Sequence, residues 1–505
     1  MTISYQGGAN PAAQGVPGLY VNVQAPPAAA LAGAPANILG IVGTASWGPV
    51  NSPVRFGDYA SGAAAFGDMK ARKYDLMTQV AAAYQQGANN FVGVRVTDGT
   101  DAAATVAVQT NCITLTAKYT GTRGNSLVCS IGPGTAASSF KATITMPGLQ
   151  PETFDNLTGT GNAFWVALAA AINAGQSTNR PASALVTATA GVGVTAPATA
   201  NYTLTGGTDG VTTITGAVLI GADTTPRTGM YALRNTGTAA FLLADCDTST
   251  TWTTQQAFGI SELTEPFCVS PAGDTIANFT TTMNTAGIDN PWCKVIFGDW
   301  VYMVDGVNNV TRLVSPQGFL AGKKIALGPH NSVLNKPLAA VAGTQKSTLN
   351  QTYSNAELQA IAAARGDVIV MNSIGGNYAS AAFGRNSSSD PGRRQDVYTT
   401  MTDYLVSSLN ASAGLGAFVG RLITPTEMRE AASCISAFLQ NEVDAGRIDS
   451  FSVQVDGNNN PASQTKLGVQ KATVLVTYLS VLEYFLVDFT GGQTVVSATA
   501  QALAA

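Results

Sequence analysis

Histidine is almost missing from this chain of 505 residues: His330 is the only one. A Ser-His-Asp or Cys-His site would have to use it, in the loop Gly328-Pro329-His330-Asn331, and no GxSxG elbow accompanies it. Zinc sites built on several histidines or on paired cysteines are excluded by inventory. The six cysteines (Cys112, Cys129, Cys246, Cys268, Cys293 and Cys434) are scattered and show no CxxC spacing, so they read as buried free thiols of a reducing compartment. Charge is scarce too. Asp, Glu, Lys and Arg make up 11% of the chain, against about 25% in ordinary soluble proteins. No basic block or Lys/Arg-rich helix is present, which argues against a nucleic-acid partner. Met1 to Pro11 lacks a basic region followed by an apolar one, so no secretory leader is expected. The most apolar long stretch, Ala28 to Ala45, is broken by Pro35 and Asn37, so no membrane insertion is expected either. The expectation is a chain that folds in a cytoplasm, where the sequon Asn156-Leu157-Thr158 is incidental. No motif calls for a cofactor or a metal.

What the chain has instead is apolar bulk. Hydrophobic residues make up 45%, ample for sizeable cores, and the length suggests roughly three domains. With a net charge of only −4, its surface must rely on Thr, Ser, Asn, Gln and Ala. Charge is depleted where proteins bury surface against partners, so large contacts between subunits are expected.

Along the chain, residues 1–24 form a first unit. Met1 to Pro17 is rich in Gly, Ala, Gln and Pro without periodicity, the composition of an extended arm. Gly18 to Gln24 alternates, with Leu19, Tyr20, Val21 and Val23 in a run that predicts one edge strand. In residues 25–104, the apolar run Ile38, Leu39, Ile41 and Val42 suits a strand buried on both faces. A helix carrying Leu76, Val80, Ala83 and Tyr84 follows, with Gly87 beyond its end, and Phe91 to Val96 makes a second strand. Strand, helix, strand implies a crossover unit.

Residues 105–210 change texture to short Thr-rich strands and frequent Gly, with one helix around Phe164, Leu168 and Ile172, and read as a mainly β insertion. In 211–345 the alternation returns. Strands are predicted near Ala239 to Ala244, Phe267 to Val269 and Trp292 to Phe297, with a helix from Ile276 to Gly287 and a two-residue hairpin turn at Gly298-Asp299. In 346–490 a capping box at Ser354-Asn355-Ala356-Glu357 opens a helix, a second helix spans about Gln395 to Leu409, and a third opens at Thr424-Pro425-Thr426-Glu427. Its buried face is Met428, Ala432, Ile435, Phe438 and Leu439. Strands follow at Phe451 to Val455, Ala472 to Tyr478 and Tyr484 to Phe489. Residues 491–505 are again small, polar and weakly alternating, an arm that cannot bury a core of its own.

Two constellations invite chemistry. Gly40-Ile41-Val42-Gly43-Thr44-Ala45-Ser46-Trp47-Gly48 follows a strand, but it has neither GxGxxG spacing nor a GK[ST] ending, so it reads as a close-packed loop. Asp245-Cys246-Asp247-Thr248-Ser249 after an apolar strand is similar to the DxDx[TV] nucleophile loop of haloacid dehalogenase-like phosphatases, in which the first Asp attacks phosphorus. Ser249 stands at the Thr/Val position and no later lysine with an acidic pair follows. Asx turns closing a strand are the plainer account of Asp245 and Asp247.

The N-terminal block resembles the contractile tail sheath proteins of phages with contractile tails. The matching residues are Gly18-Leu19-Tyr20-Val21, then Gly40 to Val54 including Ser46-Trp47-Gly48-Pro49-Val50, then Phe66-Gly67, Gly87-Ala88 and Val94-Arg95-Val96. Phe140 to Leu157, Leu204 to Gly210, and the helix Pro425 to Ala445 with Glu483 continue the resemblance in order; Asp247 to Ala342 matches weakly. The resemblance implies an α/β and α+β multidomain fold, in which N- and C-terminal parts form an α/β inner core, a mainly β domain is inserted, and the terminal arms are extended. It implies arms that add strands to neighbouring subunits through Leu19, Tyr20, Val21 and Val23 at one end and Thr494, Val495 and Val496 at the other. It further implies stacked, hexameric rings, with a tail tube, baseplate and terminator as partners, and a sheath assembled in a bacterial cytoplasm into a virion tail. Contraction would be a rigid-body rearrangement of subunits without catalysis. The helix carrying Arg429, Glu430 and Glu442 is a candidate tube-facing element. Another lattice (a tail-like bacteriocin sheath or a surface layer) and a metal-dependent phosphatase using Asp245 and Asp247 remain the alternatives.

Overall fold

The computed structural model describes residues 33–371, 374–410 and 415–488, together with the backbone of 3–5 and 20–22. Near the start, β1 (Ile3–Tyr5) and β2 (Tyr20–Asn22) pair in parallel, with Ile3 opposite Tyr20 and Tyr5 opposite Asn22. The strand expected at Gly18 to Gln24 is thus present as β2. Its partner β1 falls in a stretch without periodicity, where three residues are too few to signal a strand.

The centre is a six-stranded sheet built from β3 (Leu39–Gly43), β4 (Pro53–Phe56), β5 (Phe91–Arg95), β13 (Ala240–Leu243), β14 (Glu265–Val269) and β15 (Lys294–Ile296), in the order β15-β14-β13-β3-β5-β4. All pairings are parallel except β4 with β5. Every residue of β3, β5, β13, β14 and β15 is buried, because a parallel sheet is covered on both faces. Period two divides β3 between two cores. Leu39 and Ile41 face Leu76, Val80 and Phe319, whereas Ile38 and Val42 face Leu219, Met230 and Phe241. The covering helices include α1 (Tyr59–Phe66), α2 (Leu76–Gln85), α4 (Gly216–Ile220) and α5 (Trp252–Glu262).

Between β5 and β13 lies the β-rich segment. It has one sheet of β6 (Ala103–Val108), β7 (Ile113–Thr120) and β11 (Val186–Ala190), and another of β8 (Val128–Pro133), β9 (Phe140–Thr145), β10 (Glu152–Leu157) and β12 (Ala200–Thr203). Helix α3 (Asn162–Ala174) closes a core around Trp165, Phe154, Leu115 and Ile144. Buried Arg95 pins its base by donating to Gly48 O at 2.9 Å and Thr120 O at 2.6 Å.

Helix α6 (Ile276–Ala286) ends as expected at Gly287, whose φ of 64° suits the residue without a Cβ. Gly298-Asp299 is not a hairpin turn. β15 pairs with β14, whereas the next strand, β16 (Val301–Asp305), joins β17 (Val310–Val314) and β18 (Gly343–Thr344) in a separate sheet. The chain is deflected because Phe297 N bonds to Asp367 O at 2.8 Å, and Asp299 accepts from Lys346 N and Tyr353 OH, each at 2.9 Å. After α7 (Gln317–Leu327), α8 (Gln345–Thr348) and α9 (Asn355–Ala363), which opens with the expected capping box, come the short β19 (Ile369–Val370) and β20 (Ser380–Ala381). Helices α10 (Asp396–Asn410) and α11 (Pro425–Asp444) then pack with β21 (Ile448–Gln454) and β22 (Thr473–Tyr478) around Met401, Leu405, Ile435, Phe438 and Leu439. Thr424 caps α11 by accepting from Glu427 N, but the Glu427 carboxylate turns to Arg421 at 3.3 Å instead of reaching back.

Candidate assembly surface

β21 and β22 form an antiparallel pair, with Phe451 opposite Val476 and Gln454 opposite Thr473. Among the described residues no third strand pairs with either outer edge. A lone two-stranded sheet is marginal by itself, and here one side leans on the helices. Phe451, Val453, Val474 and Val476 are half-buried against the core of α10 and α11, and Tyr478 OH meets Thr402 Oγ1 at 2.9 Å. Among the described residues the outer edges have no neighbouring strand, which makes them a template for further strands.

Beyond β22 the chain carries a row of large apolar side chains in water. Leu482 is 71% exposed, Phe485 79% and Leu486 89%, and Leu475 on β22 itself is 65% exposed. Contiguous apolar surface of this kind marks a contact with another molecule. The strand expected at Tyr484 to Phe489 is not formed: Tyr484–Asp488 has no ladder, and Phe489 lies outside the described residues. Its alternating sequence has the side chains of a strand, but a strand also needs a partner edge. Within this row Glu483 is held. Arg385 Nε and Nη2 donate to its two oxygens at 3.1 and 2.5 Å, Arg394 Nη2 adds a bond at 2.9 Å, and Gln395 Nε2 also donates to it.

Of the residues expected to exchange strands, Tyr20 and Val21 lie in β2, whereas Leu19, Val23, Thr494, Val495 and Val496 lie outside the described residues. On α11, Arg429 and Glu430 are exposed; Arg429 bonds back to Pro425 O of its own helix at 3.2 Å. Glu442 does not belong with them. It is 5% exposed, and accepts from Tyr404 OH at 2.9 Å and from Arg447 Nη1 at 3.1 Å. The helical period explains this, since positions 435, 439 and 442 share one face. Burial, then the neighbouring Glu442, push the Tyr404 hydroxyl up to about 12.

The arrangement of Asp245 and Asp247 does not favour the phosphatase alternative. Asp245 is buried, and its carboxylate is taken up by Gln79 Nε2 at 2.8 Å, Tyr74 N at 3.2 Å and Ser315 N at 3.3 Å. Asp247 is paired with Lys73 at 2.8 Å. Open α/β sheets bind ligands at the carboxyl ends of strands where the order reverses, here beside β3 and β13. That crevice is filled by the segment Lys73 to Asp75, with Thr44 N bonded to Tyr74 O at 2.7 Å. A Cβ at Gly43 would lie 2.8 Å from Tyr74 O, which makes this turn a close-packed loop. His330, on the loop after α7, is half-buried. Cys112, Cys129, Cys246, Cys268 and Cys293 are buried free thiols, and Cys434 is half-buried. Among the described residues no cluster of His, Cys, Asp or Glu is arranged to hold a metal, and no helix is long and apolar enough to cross a membrane.

No family model and no curated protein matches this sequence. Solved structures do. The sheath tail protein of Desulfitobacterium hafniense is 15% identical, with a TM-score of 0.58 over 92% of this chain and 100% of that one. A sheath tail protein of Listeria innocua is 13% identical, with a TM-score of 0.59 over 89% and 97%. The sheath of an extracellular contractile injection system in its contracted state is 11% identical, with a TM-score of 0.52 over 94% and 98%. The fold is that of the contractile sheath proteins.

Proposed function

We propose that this chain is the structural subunit of a helical contractile sheath, which surrounds a tube and drives it through a target envelope by contracting. The observation that carries the reading is the match in fold with sheath proteins over nearly the whole of both chains. The unpaired edges of β21 and β22 and the exposed apolar row beside them support it, because a subunit joined by exchanged strands needs both. In this reading the terminal arms of neighbours add to the β21/β22 sheet. Main-chain pairing suits a lattice whose subunits must rotate as rigid bodies without separating. Rings of six, a tube, a baseplate and a terminator are the partners the family resemblance implies, with Arg429 and Glu430 on the tube side. The β-rich segment 105–210 would sit on the outside.

The same lattice serves phage tails and tail-like injection particles. The phage reading places the protein in a virion tail, and the contracted injection-system sheath among its structural neighbours makes the tail-like particle the second reading. Electron microscopy of the concentrated, purified protein tests the common core of both. Short hollow tubes or stacked rings are expected, and flat arrays or persistent monomers would refute it.

A further inference from the structure

Six ionisable side chains meet in the seam between the central sheet and α10. Lys294 on β15 lies 2.9 Å from Asp367 Oδ2 and 3.9 Å from Asp396 Oδ2, and Lys324 on α7 lies 3.9 Å from Asp396 Oδ1. Asp367 also accepts from Phe383 N and Gly384 N, each at 3.1 Å, and Asp396 from Val333 N at 3.2 Å. Lys324 Nζ donates to Asn331 O at 2.8 Å. Two carboxylates are thus matched with two ammonium groups.

Two further carboxyls have no such match. Glu265 opens β14, is 0% exposed, and neither of its oxygens has a hydrogen-bond partner. Asp403 on α10 is 4% exposed; Oδ1 accepts from Trp292 Nε1 at 2.7 Å and Oδ2 has no partner. Four ionised carboxylates against two ammonium groups would leave two uncompensated charges in a dry interior, which a protein avoids by keeping such groups neutral.

We propose that Glu265 and Asp403 each carry a proton in the native protein, so that the seam between sheet and α10 closes as a neutral cluster. Burial pushes Glu265 up to about 8 against the opposing pull of Lys294 and Lys324, and burial pushes Asp403 up to about 7. The other titratable or charged groups facing this seam are Glu262 at the end of α5, paired with Arg234 at 2.6 Å, His330 on the loop after α7 with Glu442 and Arg447 acting on it, and Tyr478 on β22, on which Asp403 acts. Tyr404 on α10 adds a phenol to the same wall.

The sign follows from linkage. Both groups hold their protons more tightly in the folded chain than in the unfolded one, where carboxyls titrate near about 4. Their contribution is complete below that pH and is lost as pH rises through 7 to 8. Between about 4 and its folded value, about 7 for Asp403 and about 8 for Glu265, each group shifts the unfolding equilibrium by about tenfold per pH unit, and the shift levels off above. The seam between α10 and the sheet is therefore weaker at pH 8 than at pH 5.

The test compares the full chain with Glu265→Gln and Asp403→Asn, whose amides imitate the protonated acids, by denaturant unfolding from pH 5 to 8.5. Each variant should lose about one tenfold step per pH unit of the wild-type weakening, below about pH 7 for Asp403→Asn and below about pH 8 for Glu265→Gln. Wild-type slopes in both variants would overturn the proposal. Should either variant fail to fold, the infrared carboxyl band of the wild-type protein at pH 6 decides. An un-ionised band that vanishes on unfolding supports the assignment, and its absence refutes it.

Discussion

Arg385 grips Glu483 with two bonds, Nε to Oε1 at 3.1 Å and Nη2 to Oε2 at 2.5 Å, and so ties the last described stretch of chain to the body of the protein. The fork matches the carboxylate plane, and Arg394 adds a third contact. Before this tie Tyr478 and Val481 pack against the core of α10 and α11. Outside it, Tyr484 to Val487 stand in water. The described chain is rooted at Glu483, and in the proposed reading the C-terminal arm departs from there. Glu483→Gln should weaken the root by about 1–3 kcal/mol and speed protease cleavage between Leu479 and Val487, with the rest of the chain resistant. Unchanged cleavage kinetics would show that the tie does not hold the arm.

Removing Met1 to Gln24 should leave a folded monomer that no longer polymerises, because β1 and β2 pair with no other described strand. Circular dichroism checks the fold and electron microscopy the assembly. Normal tubes from the truncated chain would rule out a role for this arm in strand exchange.

Leu482→Ser with Phe485→Ser should leave monomer stability within about 0.5 kcal/mol, since both side chains are already exposed. The same pair should abolish or strongly retard assembly, read by light scattering. Assembly at the wild-type rate would mean that the apolar row stays in water in the lattice.

Asp245→Asn should lower stability by about 1–3 kcal/mol, because an amide cannot accept all three bonds now made to the carboxylate. Neither form should hydrolyse phosphate esters with magnesium. Activity in the wild type that is lost in the variant would revive the enzyme reading.

Glu442→Ala should cost about 1–3 kcal/mol by stranding Tyr404 OH and Arg447, whereas Glu430→Ala on the exposed face should cost less than about 0.5 kcal/mol. A thermal melt of each variant gives the comparison. Equal melts would place Glu442 in solvent.

Signals that act over one or two turns of chain were legible in the sequence. The capping box at Ser354, the Thr424 cap with Pro425, the stop at Gly287, the doubly buried strand around Ile41 and the mainly β texture after residue 105 all appear where local chemistry puts them. The helical period alone also places Glu442 beside Ile435 and Leu439, so its burial could have been read there. The shortage of charge and the single histidine, together with the order of the family-like residues, were enough to point to a structural subunit. What the sequence could not decide was which distant segments meet. β3 and β13 are neighbours across the β-rich segment, Asp367 deflects the chain after Phe297, and Arg385 finds Glu483. Such pairings depend on the summed packing of remote elements, and no local signal encodes that sum. The same holds for the edges of β21 and β22. Alternation makes them strands, but only the tertiary structure leaves those edges open, because among the described residues the fold supplies no third strand to pair with them.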